Sequence, residues 1–295
     1  FAARRAFNTL DLDWAHCLYR TDALAANRAK HRRNFKTILQ ITGPPFAFAL
    51  PRIPPDRWIQ REALHGADCR VSISEYVRQV ALAEYNVDST VLPVPVDLSH
   101  FTFQPDPPPG PPTILSVADF NDPRKGARAL FQSFPIVRTQ HPEARLLLSG
   151  SISPARRDEL LSLIPTAHHP AIEFLGVGKL EDVPSHYRRA HCTALASMHE
   201  AFGMVVIESW ATGAPVAVTN HAGLAELVTD PTLGARFDPQ TTGWETRAAE
   251  PLAESILKAL ELGQSRETRA RCRAAAENYS WQTVGPRYES LYQPD

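Results

Sequence analysis

Short apolar runs alternate with amphipathic segments along most of the chain. The runs are five to six residues long and rich in Ile, Leu, Val and Thr, as in TILQIT (37–42), TILSV (113–117) and ARLLLS (144–149). Each precedes a segment in which apolar positions recur every three or four residues, which is typical of a helix. Strands that are buried on both faces and alternate with helices form parallel sheets. The pattern therefore predicts an α/β fold.

The pattern also gives element positions. Residues 1–10 are predicted to end a helix, and the last helix is predicted to run through Tyr292. Strands are predicted at 13–19, 37–42, 69–73, 91–96, 113–117, 144–149, 172–175, 192–197 and 215–219. Helices are predicted at 22–33, 56–66, 75–84 (with Ser74 as N-cap), 125–139, 155–163, 183–189, 202–212, near Leu224, at 252–262 and at 265–278.

The clearest break in the alternation is QPDPPPGPP (104–112). Its prolines make the segment stiff and extended, as in a linker. We therefore predict one parallel-sheet domain at 1–103 and a second at 113–278. A terminal helix, at 279–295, follows the second domain.

Residues 192–227, CTALASMHEAFGMVVIESWATGAPVAVTNHAGLAEL, hold the strongest candidate site. The segment predicts a strand, a tight loop with Glu200, and a helix opened by Phe202-Gly203-Met204. Gly203 lets the backbone approach a ligand closely, and the free N–H groups of a helix N-terminus bind phosphate. Glu208 lies in a run that otherwise has a buried pattern. N–H groups for phosphates and carboxylates for hydroxyls together suit a nucleotide diphosphate that carries a sugar.

Composition narrows the class of protein. The chain has 295 residues and a net charge of −1, which fits two domains and argues against nucleic acid as a partner. The four cysteines are far apart in sequence, as expected for free, buried thiols in a reducing compartment. No apolar run approaches the roughly 18 residues that span a bilayer, and no signal peptide is found. We therefore expect a cytoplasmic protein, and its many Arg and Pro residues fit a bacterial source.

The E-x7-E pattern of Glu200 and Glu208, with Phe202-Gly203 and the later GAPV and AGLAEL, resembles the signature of GT4-type retaining glycosyltransferases of the GT-B fold. Segments 73–101, 114–134 and 279–292 resemble other parts of the same family. The resemblance implies two Rossmann-like domains that face a cleft, with the acceptor on the N-terminal side and the donor on the C-terminal side. It also implies that the terminal helix returns to the first domain.

The resemblance implies roles for individual residues. Glu208 would bind the ribose hydroxyls, Glu200 would face the transferred sugar, and the backbone of Phe202, Gly203 and Met204 would meet the phosphates. Lys125 matches the phosphate-binding lysine of the family. Val177, in Gly176-Val177-Gly178, would lie beside the nucleobase. No cofactor and no metal ion are implied beyond the nucleotide-sugar donor.

The sequence differs from the family pattern at three places. Asp119 stands at the donor-side position where the family has an arginine, so either Arg124 substitutes for that arginine or diphosphate binding and turnover are impaired. Thr42-Gly43 stands where many members have a histidine, and His16 on a neighbouring strand is a substitute candidate or a core residue. The family also carries further strands and helices before Phe1, so we expect an incomplete N-terminal domain, in a fragment or a shortened variant.

The leading hypothesis is a metal-independent retaining glycosyltransferase that takes a nucleotide-diphosphate sugar and a glycan, lipid or small-molecule acceptor. A nucleotide-sugar-binding module or inactive partner subunit is the main alternative, and a sugar-nucleotide epimerase is a further one. The basic residues of segment 28–36 favour a solvated helix face, and the alternative is a contact with a polyanionic acceptor or with anionic lipid at the inner face of a membrane.

Overall fold

The computed structural model describes residues 7, 11–45, 54–239 and 247–293 of the chain. The predicted helix at 1–10 lies almost wholly outside these residues. The chain forms two compact units. Unit 1 contains residues Phe1–Val94 and Val284–Asp295, and unit 2 contains Pro95–Thr283.

Unit 1 is an α/β unit, and its described strands form a four-stranded parallel sheet in the order β1-β2-β3-β4. Its strands are β1 (Trp14–Cys17), β2 (Lys36–Ile41), β3 (Cys69–Ser72) and β4 (Thr90–Val91). The helices that connect them are α1 (Arg20–Lys30), α2 (Pro54–Gly66) and α3 (Glu75–Tyr85).

Side chains fix the ends of these elements and join the layers of unit 1. Ser74 caps α3 by accepting a hydrogen bond from the N–H of Val77 at 3.2 Å, as predicted. Lys30, from the end of α1, donates to Asp68 at 2.7 Å, and Asp68 also accepts from the backbone N–H of Thr37 at 2.8 Å. These bonds tie α1 to the start of β2 and to the turn before β3.

The prediction of a strand over 91–96 is wrong. In this part of the chain, Thr90 and Val91 pair with β3, and the N–H of Leu92 donates to the carbonyl of Ser72 at 3.0 Å. Val96 forms an isolated bridge with Ser280. Pro93 and Pro95 have no N–H to donate to a neighbouring strand, so a continuous ladder cannot form across them.

The larger sheet lies in unit 2, and its described strands are all parallel in the order β10-β9-β8-β5-β6-β7. The strands are β5 (Thr113–Val117), β6 (Arg145–Ser149), β7 (Ile172–Gly176), β8 (Cys192–Leu195), β9 (Val216–Thr219) and β10 (Gly234–Phe237). The α-helices are α4 (Ala127–Gln140), α5 (Pro154–Ser162), α6 (Val183–Arg188), α7 (Met204–Thr212), α8 (Ala222–Leu227), α9 (Ala249–Gly263) and α10 (Arg266–Glu277). Short 3-10 turns cover Pro123–Lys125 and Thr166–Ala171.

Helix α11 (Trp281–Glu289) and a 3-10 turn (Ser290–Tyr292) end the described chain, and residues from Val284 onward belong to unit 1. There the Tyr288 hydroxyl accepts from Gln40 at 3.1 Å, and Arg287 donates to the carbonyl of Val91 at 3.0 Å. The two parallel-sheet units confirm the predicted α/β class.

The core of unit 2 forms because its central strands are apolar on both faces. Ile114, Leu146 and Ala194 are fully buried, and they pack in one cluster with α4 and α9. Strand β10 was not predicted from the sequence. It is a four-residue edge strand whose Arg236 side chain is exposed, so it lacks the apolar run that marks the central strands.

The proline-rich segment 104–112 belongs to unit 2, because the division between the units falls at Val94 and Pro95. The N–H of Gln104 donates to the carbonyl of Thr212 at 3.2 Å. The buried Arg269 donates to the carbonyl of Gln104 at 2.9 Å. These hydrogen bonds attach the start of the segment to helices α7 and α10.

The cysteines and the described helices both bear on expectations from the sequence. All four cysteines are free, with Cys17, Cys192 and Cys272 buried and Cys69 partly exposed. Among the described helices, none combines the length and the apolar character that a bilayer crossing requires.

Candidate functional site

The order of strands in unit 2 reverses between β5 and β8. From β5 the chain moves outward through β6 to β7, and it then returns to place β8 on the other side of β5. In an open parallel sheet, the carboxyl ends of strands at such a reversal form a crevice where ligands bind. The loops that follow β5 and β8 carry Lys125 and Glu200.

The loop after β5 has a fixed conformation. The Asp122 carboxylate accepts from the N–H of Arg124 at 2.9 Å and so begins the 3-10 turn Pro123–Lys125. Gly126 ends the turn in the left-handed region, with φ +68°, and a Cβ there would lie 2.2 Å from the carbonyl oxygen of Ala196. The N–H of Met198 donates to the carbonyl of Arg124 at 2.9 Å. The two loops are therefore held together by backbone contacts.

Lys125 and Glu200 form an ion pair across these loops. Lys125 Nζ donates to Glu200 Oε2 at 2.8 Å, and the side chains are 27% and 22% exposed. Both groups therefore remain accessible to a ligand. The pair places one cation and one carboxylate side by side at the carboxyl edge of the sheet.

Helix α7 begins beside this pair. Gly203 is its N-cap residue, with φ +109° and no side-chain cap. Among the described residues, the N–H groups of Gly203 and Met204 donate no hydrogen bond. Phe202 is buried against the ring of Tyr279, with ring centroids 5.9 Å apart. The N–H of Gly223 donates to the carbonyl of Glu200 at 3.0 Å, which fixes the preceding loop.

Glu208 lies one turn into α7, in a buried environment. Its neighbours Val206, Ile207 and Trp210 are 0–1% exposed, as the sequence predicted. Glu208 Oε2 accepts a hydrogen bond from the Tyr187 hydroxyl at 2.6 Å. Burial raises the pKa of Glu208, and the Tyr187 hydrogen bond opposes this shift.

The site therefore combines a lysine, a helix start with unpaired N–H groups and two carboxylates. N–H groups and a lysine bind phosphate oxygens, and carboxylates accept hydrogen bonds from hydroxyls. A ligand that carries both phosphates and hydroxyls matches this arrangement. In the described ranges, no group of three or more His, Cys, Asp or Glu side chains is placed to hold a metal ion.

Comparison with known protein families shows the family of this chain. The family model described as "Glycosyl transferases group 1" matches residues 100–279, more than half of the chain. This protein belongs to the group 1 glycosyltransferases. The match covers the whole loop and helix region described above.

Curated relatives of this group 1 glycosyltransferase include a phosphatidyl-myo-inositol mannosyltransferase of Propionibacterium freudenreichii, 28% identical over 61% of this chain and 43% of the relative. A glycogen synthase of Mycobacterium tuberculosis is 26% identical over 80% of this chain and 56% of the relative. The chain therefore spans about half the length of these relatives.

Solved structures show the same fold. Sucrose-phosphate synthase from Thermosynechococcus elongatus has a TM-score of 0.80 at 21% identity. The match covers 98% of this chain and 75% of the synthase chain. The Anabaena protein HepE, in complex with UDP, has a TM-score of 0.80 at 16% identity. The match covers 98% of this chain and 80% of the HepE chain. These similarities confirm the predicted GT-B fold class.

Two predicted residues of the phosphate region are engaged with neighbours. Asp119 accepts from Ser151 Oγ at 2.5 Å and from the Asn121 side chain at 2.9 Å. These hydrogen bonds lower the pKa of Asp119, so it is ionised where the family pattern has an arginine. Arg124 donates to Asp122 Oδ2 at 2.6 Å, with a side chain that is 66% exposed. The charge of Arg124 is therefore already balanced by Asp122.

The remaining candidates lie on other elements. Val177 is 78% exposed, on the loop after β7. In unit 1, His16 is hydrogen-bonded through Nδ1 to the Tyr292 hydroxyl, and burial lowers its pKa. His16 therefore contacts the terminal segment, and Thr42 follows the end of β2.

The sequence reasoning missed two residues that position the site. Tyr187, on α6, holds Glu208, and Asp122 holds the turn that carries Lys125. The D-P-x-x-G pattern of residues 122–126 was the available signal for Asp122, because Asp at an N-cap, Pro at N1 and Gly at the end are typical of a capped turn. No pattern in the sequence indicated Tyr187.

Gly126→Ala is expected to destabilise the protein by at least about 2 kcal/mol. The left-handed conformation at φ +68° costs a non-glycine residue about 1–2 kcal/mol, and the contact with the Ala196 carbonyl adds to this. Urea-induced unfolding measures the change. Gly285→Ala is the matched control, since a Cβ at Gly285 in α11 meets no atom within 4 Å. It should change the free energy of unfolding by less than about 1 kcal/mol, because alanine favours a helix over glycine whereas a Cβ on the residue before Pro286 disfavours the helical conformation. Equal stability of the two variants would contradict the prediction.

Proposed function

We propose that unit 2 binds a nucleotide-diphosphate sugar and that the protein transfers this sugar to an acceptor with retention of anomeric configuration. The observation that carries the proposal is the grouping of Lys125, Glu200 and the start of α7 at the point where the strand order reverses. Family membership supports the same reading. HepE, which has the same fold, was solved with UDP.

Each group has a stated task in this proposal. Glu208 accepts hydrogen bonds from the ribose hydroxyls, and Glu200 accepts them from hydroxyls of the transferred sugar. Lys125 and the N–H groups of Gly203 and Met204 bind the diphosphate. These groups supply positive charge to the leaving group, so the scheme requires no metal ion.

Transfer proceeds by attack on the face of the sugar from which the diphosphate leaves. The bond between the anomeric carbon and the phosphate oxygen breaks, and a bond from the acceptor oxygen to that carbon forms on the same face. The acceptor proton passes to the leaving phosphate oxygen. Lys125 stabilises the transition state of this reaction, because negative charge grows on the diphosphate as the bond breaks.

Unit 1 contains the proposed acceptor side. A cavity of about 550 Å³ lies at the carboxyl ends of β1 and β2, where parallel sheets bind ligands. Its lining includes Leu18 and Tyr19, which are 50% and 69% exposed, together with Gln40 and Thr42. This lining suits an acceptor with an apolar part and some hydroxyls, such as a glycan, a lipid or a small molecule.

Calorimetry with UDP and GDP tests the proposal, followed by assays of nucleotide-sugar hydrolysis and transfer. We expect a nucleoside diphosphate to bind and the corresponding nucleoside to bind far more weakly, because the phosphate contacts are lost. Product analysis without an acceptor distinguishes an epimerase. If the folded protein bound no nucleoside diphosphate, the proposal would be wrong.

A second candidate function is a nucleotide-sugar-binding module without turnover. The ionised Asp119, at the position of the family's arginine, favours it because a negative charge there opposes the growing charge on the diphosphate. Binding of a donor with no hydrolysis or transfer, in protein of full natural length, would select this candidate.

We also propose that the protein works in the cytoplasm and touches the inner face of the membrane through segment 28–36. His31, Arg32 and Arg33 are exposed. The Arg28 guanidinium lies 5.1 Å from the centre of the Trp58 ring, and Trp58 is 45% exposed. Each basic residue near an anionic surface contributes about 1 kcal/mol. Pelleting with anionic but not with neutral vesicles is expected, and equal pelleting would contradict the proposal.

A further inference from the structure

A tyrosine holds the ribose-side carboxylate of the proposed site. Tyr187 is 0% exposed, and its hydroxyl donates to Glu208 Oε2 at 2.6 Å. The Phe101 ring meets the Tyr187 ring edge-on, with centroids 5.7 Å apart. Tyr187 is therefore fixed by packing on one side and by the hydrogen bond on the other.

The hydrogen bond has a defined direction. A tyrosine hydroxyl carries one proton, and burial and the Glu208 carboxylate raise the pKa of Tyr187 well above its usual value, so the proton stays on the tyrosine. The Tyr187 hydroxyl therefore donates this proton to Glu208 Oε2. Glu208 Oε1 accepts no hydrogen bond from the described part of the protein, and its lone pairs remain available to a ligand.

This arrangement separates the two oxygens of one carboxylate. Oε2 is held by the protein and Oε1 is left for the ligand, so the plane of the carboxylate is set before a ligand arrives. Pre-organised groups bind more tightly because less conformational freedom is lost on binding. Without the hydroxyl, the partly buried Glu208 would lose its charge-assisted hydrogen bond and would turn toward water.

We propose that Tyr187 is a positioning residue that, by fixing Glu208, makes the donor site select nucleotides that carry the ribose hydroxyls over nucleotides that lack them. The inference rests on the proposed function, since it requires that Glu208 meets the ribose. It assigns to Tyr187 no contact with the ligand. Its effect is confined to hydroxyl recognition and leaves phosphate binding unchanged.

Calorimetry with two ligand pairs, UDP with 2′,3′-dideoxy-UDP and GDP with 2′,3′-dideoxy-GDP, tests the inference. The wild-type protein should prefer the ribose ligand of the pair that it binds. Tyr187→Phe keeps the ring and removes only the hydroxyl. It should weaken the ribose ligand about tenfold, the value of one hydrogen bond to a charged group. The affinity of the dideoxy ligand should change by less than about twofold, because that ligand has no hydroxyls for Glu208.

Two further variants make the result specific. Ser133→Ala removes another buried hydroxyl of unit 2, which donates to the carbonyl of Leu130 at 2.8 Å in α4, and it should leave both affinities unchanged. Phe101→Leu loosens the Tyr187 ring without touching Glu208. It should lower the ribose preference two- to threefold, about the weakening expected of a loosened contact. It also decides the question if Tyr187→Phe does not fold.

The outcomes distinguish the inference from the proposed function. If the wild-type protein binds neither ligand pair, the proposed function fails. If the wild-type protein prefers ribose and Tyr187→Phe keeps that preference, only the inference fails. Equal weakening of both ligands in Tyr187→Phe would show a general structural role and would also overturn the inference.

Discussion

Glu208→Ala is expected to weaken the binding of a nucleoside diphosphate on the order of 100-fold. In the proposed complex its carboxylate accepts hydrogen bonds from two ribose hydroxyls, and each hydrogen bond to a charged acceptor contributes about 1.5–3 kcal/mol. Water replaces these bonds poorly, since the side chain is only partly exposed. Alanine also leaves the buried Tyr187 hydroxyl without its acceptor.

Thermal unfolding with and without ligand measures this loss. A ligand at 100 times its wild-type Kd stabilises the wild-type protein by about 2.7 kcal/mol, whereas a variant with 100-fold weaker binding gains only about 0.4 kcal/mol. Glu208→Gln keeps the shape and one acceptor oxygen, so it should fall between. Glu254→Ala, at an exposed position of α9, should match the wild type. A full ligand-induced shift in Glu208→Ala would remove this residue from the binding site.

The segment around Glu208 was well predicted because its signals are local. Apolar runs mark β8 and β9, and Gly213 ends α7 with φ +95°, the left-handed conformation that glycine permits. The N–H of Ala214 then returns to the carbonyl of Ser209 at 3.0 Å. Each of these features depends on residues within a few positions of one another, so the sequence alone suffices.

The contacts that complete the site could not be predicted in the same way. Lys125 and Glu200 are 75 residues apart, and Tyr187 and Glu208 are 21 residues apart on different helices. Only the order of the strands brings these residues together. Family resemblance indicated Lys125 as a phosphate ligand, but the ion pair with Glu200 and the hydrogen bond from Tyr187 follow from the three-dimensional arrangement.

Two strands show the limits of an apolar pattern. The run at 91–96 is apolar, but its prolines cannot donate to a ladder and only its first residue lies in β4. In contrast, β10 contains the exposed Arg236 and still pairs with β9 along all four residues. Pairing depends on available N–H groups and on a neighbouring strand, and neither is measured by hydrophobicity.

Lys125→Ala is expected to lower the rate of sugar transfer or donor hydrolysis by about 10²–10³-fold in protein that turns over a donor. The lysine lies 2.8 Å from Glu200 and is 27% exposed, so it can turn to the diphosphate when a donor binds. Charge on the leaving group grows during bond breaking, and fixed positive charge therefore stabilises the transition state more than the bound donor. Binding of a nucleoside diphosphate should weaken only about tenfold, the value of one charge-assisted hydrogen bond.

The difference between rate and affinity identifies the role of Lys125. Calorimetry with UDP or GDP and with the parent nucleoside should show that Lys125→Ala weakens the diphosphate alone, because the nucleoside offers no phosphate to the lysine. Lys125→Arg keeps the charge and should recover much of both losses. Lys258→Ala, at an exposed position of α9, controls for a change in net charge and should behave as the wild type.

A kcat within twofold of the wild type in Lys125→Ala would mean that the helix start at Gly203 and Met204 stabilises the leaving diphosphate without help. A loss of nucleoside binding equal to that of the diphosphate would instead place the effect of Lys125 on the shape of the loop, through its ion pair with Glu200.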